Sequence, residues 1–433
     1  MLKLLSVVVS LPLLAAAQNN ELRSIAEQEV ATLLPLYRDL HSHPELSHHE
    51  ARTSGVIAGE LRKLGFEVTE HVGKYPDGSQ AFGVVAVMKN GPGPVLMLRT
   101  EIDALPVVEK TGLPFASQNG AMHACGHDLH MTSFLGTAQM MAKLKSRWSG
   151  TLMMIGQPSE ETIDGARAML ADGLYTRFPK PDYVIGLHDD PGIETGMIGM
   201  RSGPFYAAAT SVEVRIRGVG GHGAHPEATK DPVVMAAEYI LELQTIVSRQ
   251  MLPLDPAVVT VGSIHGGSKN NIIPDEVVLE LTVRAFTEDA RERILASISR
   301  MAKGIALAAG VPEDRAPVVK VSDTEVTPPT YNDPKLAARV RRAVSAAIGE
   351  NNIVESERIM VSEDFGQLGL KNHEIPTTLF ELGALSHERI EEGRKGIKPV
   401  PSLHSAVFYP DIEPALRTGI IATTAAALDI LTK

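Results

Sequence analysis

Cysteine is nearly missing from this chain: Cys125 is the only one in 433 residues, so no intramolecular disulfide can form. Aromatic residues are scarce at 4%, which leaves little material for a specific aromatic pocket. Lys/Arg clusters are lacking and the formal charge is -11. Phosphate binding needs concentrated positive charge, so nucleic acid is excluded as a partner, and a small molecule or peptide is expected instead. Apolar runs of the about twenty residues needed to span a bilayer are lacking too. The run from Leu4 to Leu14 follows Lys3 and precedes Ala15-Ala16-Ala17, the layout of a secretory signal peptide over residues 1–17 with cleavage after Ala17. The expected location is periplasmic or secreted, with no membrane span left after cleavage. In an oxidising compartment a lone thiol is buried and inert, held by a metal, or a nucleophile.

What is present is an ordinary globular composition, 44% hydrophobic and 21% charged, in a chain longer than one core usually organises. Helical spacing covers Leu22 to Leu40 and recurs at Val56, Ile57, Leu61 and Leu64, with Gly65 ending that helix. Continuous apolar runs follow ("AFGVVAV", "PVLMLRT", "TLMMIG", "DYVIGLH"), which predict strands of a sheet buried on both faces and hence an α/β layered domain. From about Tyr206 the pattern becomes strict alternation, as in "SVEVRIR" and "EVVLELTVRAF", the mark of an antiparallel sheet with one open face. Strands 208–218, 257–264, 275–286 and 317–321 with helices 231–249 and 288–309 give an α+β unit of order βαββαβ. The Pro-rich "TPPTYNDP" reads as its exit, after which the first pattern resumes. The expected organisation is a domain over 18–206 and 328–433 with a second one, 207–327, inserted into it.

Three apolar runs end in groups that bind metals or move protons: Glu101 and Asp103, Glu160 and Glu161, and His188. Ligands in open α/β sheets bind at the carboxyl ends of strands, so these groups are expected to converge. In "MHACGHDLH", Cys125 and His127 lie on one side of an extended segment across Gly126, an arrangement suited to zinc. Asp128 fits as the cap of a helix starting at Leu129, and His123 and His130 stay unassigned, a supporting or solvated role being favoured over direct ligation. The thiol could instead be a nucleophile with His127 as its base. Pro158 turns the chain before Glu160-Glu161, so one carboxylate can ligate a cation while its neighbour takes a proton from water.

Taken in order, "LYRDLHSHPELSHHEARTSGVIAGEL", "LRTEIDALPV", "HACGHDLH", "GQPSEE", "GLH", "GGHGAHP", "NIIPD", "SEDFG" and "LHSAVF" resemble the M20 metallopeptidase family, in its amidohydrolase branch of aminoacylase, hippurate hydrolase and auxin-conjugate hydrolase types. The resemblance implies a di-metal exopeptidase-like catalytic domain interrupted by a lid that also forms a homodimer. It implies Cys125, His127, Glu161, His188 and His404 as ligands of two divalent metals, zinc first, with manganese, cobalt or nickel as substitutes. It makes Glu160 the general base, His222 the lid residue that polarises the substrate carbonyl, and Asn271 and Arg284 the holders of a substrate carboxylate, with Asp103 and Glu101 in support. Arg284 also falls on the open face of its strand, where a guanidinium can meet a carboxylate bidentately.

Two departures from the family's pattern stand out: Glu101 where aspartate is usual, and Asp189 where a small apolar residue is usual. The implied reaction is hydrolysis of the amide bond of an N-acyl amino acid or small peptide with a free carboxylate. The rivals are a dipeptide carboxypeptidase, a catalytically silent binder of N-acyl amino acids, and a cysteine-nucleophile amidase.

Overall fold

A computed structural model describes residues 10–432, with side chains from residue 21 onward. The expected signal peptide, 1–17, thus lies outside the residues described with side chains. Among the described residues no helix is long and apolar enough to cross a membrane.

The chain divides into two compact units, the smaller comprising Pro204–Thr330 together with Arg358–Gly366. In chain order the larger unit begins with α1 (Ser10–Ser42), α2 (Ala51–Lys63), β1 (Glu67–Lys74), β2 (Gln80–Asn90), β3 (Val95–Glu101), α3 (His127–Lys143), β4 (Gly150–Gln157), β5 (Tyr183–Glu194) and β6 (Ile198–Met200). The smaller contributes β7 (Ala208–Arg217), α4 (Pro232–Thr245), β8 (Ala257–Gly266), β9 (Glu276–Ala285), α5 (Glu288–Ala308) and β10 (Val318–Thr327). The larger resumes with α6 (Pro334–Ile348), β11 (Ile353–Glu355), β12 (Thr377–Leu385) and α7 (Ile412–Ile430).

The larger unit is built on an eight-stranded mixed sheet of order β1-β2-β4-β3-β5-β12-β6-β11. Its central strands β4, β3, β5 and β12 run parallel, β1 and β2 run antiparallel to their neighbours, and β6 is antiparallel to β12 and parallel to β11. The apolar runs lie where burial on both faces requires them; every residue of β12 is buried. Helices α3 and α7, buried on nearly all sides, pack on each other and on the central strands, with α1 and α6 against α7. Trp148, fully buried, donates its indole N–H to Met141 O at 2.9 Å and so satisfies its one polar atom. The parallel strands bring three carboxyl ends side by side: Glu101 is paired with Gln157 between β3 and β4, and β5 runs beside β3 toward His188.

In the smaller unit the antiparallel sheet has the order β8-β9-β7-β10. Val212, Val214, Ile216, Val277, Leu279, Leu281 and Val283 face a core shared with Met235, Tyr239 and Leu243 of α4 and Ile294 and Ile298 of α5. The alternate residues, Glu213, Arg215, Thr282 and Arg284 among them, are only partly covered. Local chemistry starts its helices: the Asp231 carboxylate accepts from Val233 N–H at 2.8 Å before Pro232 opens α4, and Thr287 Oγ1 accepts from Ala290 N–H at 3.2 Å at α5. Segment 358–366 joins this unit through a Tyr206–Ile359 bridge and the Ala207 N–H donated to Val361 O at 2.9 Å.

Candidate metal centre

Helix α3 starts two residues earlier than its sequence suggests. Gly126, in the left-handed region at φ 73°, stands at the cap position, and His127 is already helical. That conformation needs glycine, as does the space: a Cβ here would lie 2.6 Å from both carboxylate oxygens of Asp189. Asp128 is therefore no cap. It sits buried in the first turn, with Oδ2 2.6 Å from His41 Nδ1 at the end of α1, and His41 Nε2 is 3.1 Å from Glu109.

The turn before α3 brings the chain's thiol among three imidazoles. Cys125 Sγ is 3.6 Å from His188 Nε2 and 3.3 Å from His404 Nε2. His404 adopts a left-handed φ of 64°, a strained conformation for a side-chain-bearing residue, and its N–H is anchored on Ala124 O at 2.8 Å. On the other side, His127 Nε2 lies 3.8 Å from Glu160 Oε2 and 3.9 Å from Glu161 Oε1, and His404 Nε2 lies 3.5 Å from Glu161 Oε2. The ligand atoms of Cys125, His127 and His188, of Cys125, Glu161 and His404, and of His127, Glu160 and Glu161 each form a group compact enough for one ion.

Each donor is aimed by a fixed partner. His127 Nδ1 bonds to Asp103 O at 2.9 Å and His188 Nδ1 to Asp189 O at 2.8 Å, so in both rings Nε2 is left as the lone-pair atom. The two glutamates are aimed by Ser159, left-handed at φ 51°, whose N–H donates to Glu50 Oε1 at 2.8 Å and whose hydroxyl donates to the same oxygen at 3.0 Å. Two residues on, Glu161 N–H donates to Asp103 Oδ2 at 3.0 Å, and Ser47 Oγ donates there at 2.7 Å. Glu160 is thus held from both sides by carboxylates that grip the backbone. Burial, with the Asp103 charge added, pushes Glu50 up to about 7.

The electrostatics are those of a cation site. Burial alone lowers His127, yet its bond to Asp103 and the charges of Glu161 and Asp103 raise it to about 9. His188 goes the other way, lowered to about 3 by burial and then by His130, which leaves a neutral imidazole suited to ligation. Buried His127 Nε2 has no hydrogen-bond partner among the described residues, a costly arrangement that a cation between the donors relieves. The thiol, imidazole and carboxylate donors fit a pair of divalent ions.

Of the residues singled out from sequence, Cys125, His127, Glu160, Glu161, His188 and His404 meet here, with Asp103 holding His127 and Glu101 one layer behind on His130. His222, Asn271 and Arg284 lie in the smaller unit. His222 pairs with Ile272, and Gly223 N–H donates to Asn271 O at 2.8 Å. Arg284, half-buried, donates to Ser362 Oγ and has no carboxylate partner among the described residues. His123 is buried, held down to about 4 by desolvation, with neither ring nitrogen partnered among the described residues. His41, Glu50 and Ser159 escaped the sequence reading; the histidine- and glutamate-rich "LHSHPELSHHE" was the available signal.

The His41 contacts predict a pH dependence. Burial lowers His41, but Asp128 and Glu109 override it and raise it from 6.5 to about 10. A folded-state value above the unfolded one means that the stabilisation is complete below about pH 6.5 and fades as pH climbs through about 10. The urea midpoint of the unsubstituted chain should fall over this window more steeply than that of His41→Gln; parallel curves would show that His41 is not the group titrating.

With the geometry in place, comparison with known proteins identifies the class. The model of peptidase family M20/M25/M40 matches residues 97–395. The chain is 37% identical to an N-acetyldiaminopimelate deacetylase of Leuconostoc citreum over 79% of this chain and 87% of that one. It is 33% identical to Thermostable carboxypeptidase 1 of Saccharolobus solfataricus over 93% and 95%. A Bacillus subtilis structure described as a dinuclear metal binding peptidase of family M20 superposes with a TM-score of 0.76 at 30% identity, covering 93% of this chain and 99% of that one. The chain belongs to peptidase family M20/M25/M40, a family of hydrolases that act on carbon–nitrogen bonds.

Proposed function

We propose that this chain binds two divalent cations through Cys125, His127, Glu161, His188 and His404 and hydrolyses the amide bond of N-acyl amino acids that carry a free carboxylate. The observation that carries the reading is the meeting of one thiol, three imidazole nitrogens and two carboxylates, with buried His127 Nε2 among them lacking a partner among the described residues. The cations, zinc first, with manganese, cobalt or nickel as alternatives, would supply Lewis acidity toward the scissile carbonyl and a water acidic enough to lose a proton near neutral pH. Glu160, 6% exposed and fixed through Ser159 and Glu161, takes that proton and returns it to the leaving amine.

Three residues of the smaller unit suit the substrate. Ala224 N–H donates to His222 Nδ1 at 3.0 Å, which puts the ring proton on exposed Nε2, a donor for a carbonyl oxygen that becomes negative. Arg284 offers a half-buried guanidinium with no carboxylate of its own, and Asn271 an amide, to hold the substrate's carboxylate. The likeness to a carboxypeptidase supports dipeptides as a second substrate class. The test is release of free amino acid from N-acetyl and N-benzoyl amino acids, their methyl esters and dipeptides. Turnover that needs the free carboxylate is expected; none on any of these by a chain with two bound metals would overturn the reading.

The smaller unit is proposed to act as a lid and to pair with that of a second copy. Helix α4 is apolar on its outer side as well as its inner one: Val233, Val234 and Leu241 are 46, 55 and 72% exposed, and β8 ends the sheet beside it. Leu241→Asp should convert a dimer to a monomer in light scattering; an unchanged mass would refute this pairing. Export with cleavage after Ala17 is proposed from the leader sequence, and the mass of the secreted chain checks it.

A further inference from the structure

Behind His188 runs a line of buried charged groups that the proposed reaction does not use. Arg99, 3% exposed, donates to Gln157 Oε1 at 2.9 Å and to Glu101 Oε1. Glu101 Oε2 is 3.1 Å from Nδ1 of His130. On the far side of that ring, Nε2 meets Asp189 twice: its main-chain N–H at 2.8 Å and its Oδ1 at 3.1 Å. A main-chain N–H can only donate, so Nε2 accepts and the ring proton sits on Nδ1, donated to Glu101. That leaves His130 with no proton for Oδ1. Oδ2 of Asp189 is buried and has no partner among the described residues. Glu101 and Asp189, two separate departures from the family's pattern, therefore flank one imidazole.

The Asp189 carboxylate is thus under-satisfied in a buried place, which is unfavourable unless positive charge stands nearby. Its surroundings show where that charge would be. The carboxylate lies against Gly126, between Cys125 and His127, and Oδ1 is 3.5 Å from His188 Nδ1, the ring nitrogen on the side away from Cys125. The main-chain oxygen of Asp189, 2.8 Å from the same nitrogen, fixes the tautomer, and the side chain adds negative charge behind it.

We propose that Asp189 is a positioning residue of the metal centre: its buried carboxylate, on a residue whose main-chain N–H is fixed by the Arg99–Glu101–His130 line, strengthens the grip of His188 on its cation. The inference rests on the two-cation reading above, and its test separates the two. The apo protein is titrated with Zn(II) against a chromophoric chelator, alongside Asp189→Asn and Asp190→Asn. The unsubstituted chain should take up two ions. Asp189→Asn, nearly isosteric, should bind one of them about tenfold or more weakly, as loss of a ligand's outer partner does, and leave the other unchanged. Asp190→Asn, which removes a carboxylate one residue further on, should stay within about twofold of the parent for both ions. The apo unfolding midpoint of Asp189→Asn should equal or exceed the parent's, because an under-satisfied carboxylate is gone.

Affinities in Asp189→Asn within about twofold of the parent would overturn the inference while leaving the two-cation reading intact. Weaker binding together with a lower apo midpoint would also overturn it, because the residue would then be holding the fold. An unsubstituted chain that takes up no Zn(II) would overturn the two-cation reading and this inference with it.

Discussion

Glu160→Gln is expected to lower kcat for amide hydrolysis by about 10²–10⁴-fold with metal content unchanged, the usual worth of a positioned general base. Glutamine keeps the shape and length of the side chain and removes only its ability to take a proton. The change should stay local, because the backbone on either side is held independently. Ser159 N–H is on Glu50 at 2.8 Å, and Glu161 N–H is on Asp103 at 3.0 Å. None of these bonds involves the Glu160 side chain. Steady-state kinetics with metal analysis on the same preparation reads the result. A variant with parental kcat would remove Glu160 from the reaction, and a variant that had lost metal would make it a ligand instead.

Removal of the cations should abolish turnover and lower Tm by several degrees, and both should return with zinc, manganese or cobalt. The activity loss follows from the chemistry, since Cys125, His127, His188 and His404 offer no other way of activating water. The stability loss follows from linkage. Ions that bind only the folded state stabilise it by about 4 kcal/mol at a thousandfold excess over Kd. Without them, His127 Nε2 remains buried and unpartnered among the described residues. Full activity after chelation, with metal shown to be gone, would make Cys125 the nucleophile and His404 or His188, at 3.3 and 3.6 Å from its sulfur, the base.

The sequence reading went astray at Asp128 for an instructive reason. Local spacing put it at the helix entrance, where a carboxylate ordinarily caps. The structure gives it to His41 at 2.6 Å, 87 residues away, and leaves the cap position to Gly126. No local pattern encodes that pairing. It depends on the end of α1 packing beside the first turn of α3. His130 shows the same limit. Spacing put it near the centre without a role, and only the meeting of β3 and β5 beside α3 sets Glu101 on one ring nitrogen and Asp189 on the other.

By itself the sequence determined the kinds of element and the inventory of donors. Alternation over 212–216 and 277–283 specifies strands with one face buried, and the apolar runs ending at Glu101, Gln157 and His188 specify strands buried on both, because these periodicities arise between residues a few positions apart. The ordered motifs also carried the likeness to the family. The tertiary structure alone decided which donors come together. Cys125 and His404 are 279 positions apart, and their atoms come within 3.3 Å only because the parallel order of β4, β3, β5 and β12 stacks the strand ends while the 404 turn anchors on Ala124. Direction was decided there too: a backbone oxygen on Nδ1 of His127 and another on Nδ1 of His188 turn each Nε2 lone pair inward. The His127 bond joins residues 24 positions apart and exists only once the chain has folded, whereas His188 is turned by its own neighbour, Asp189.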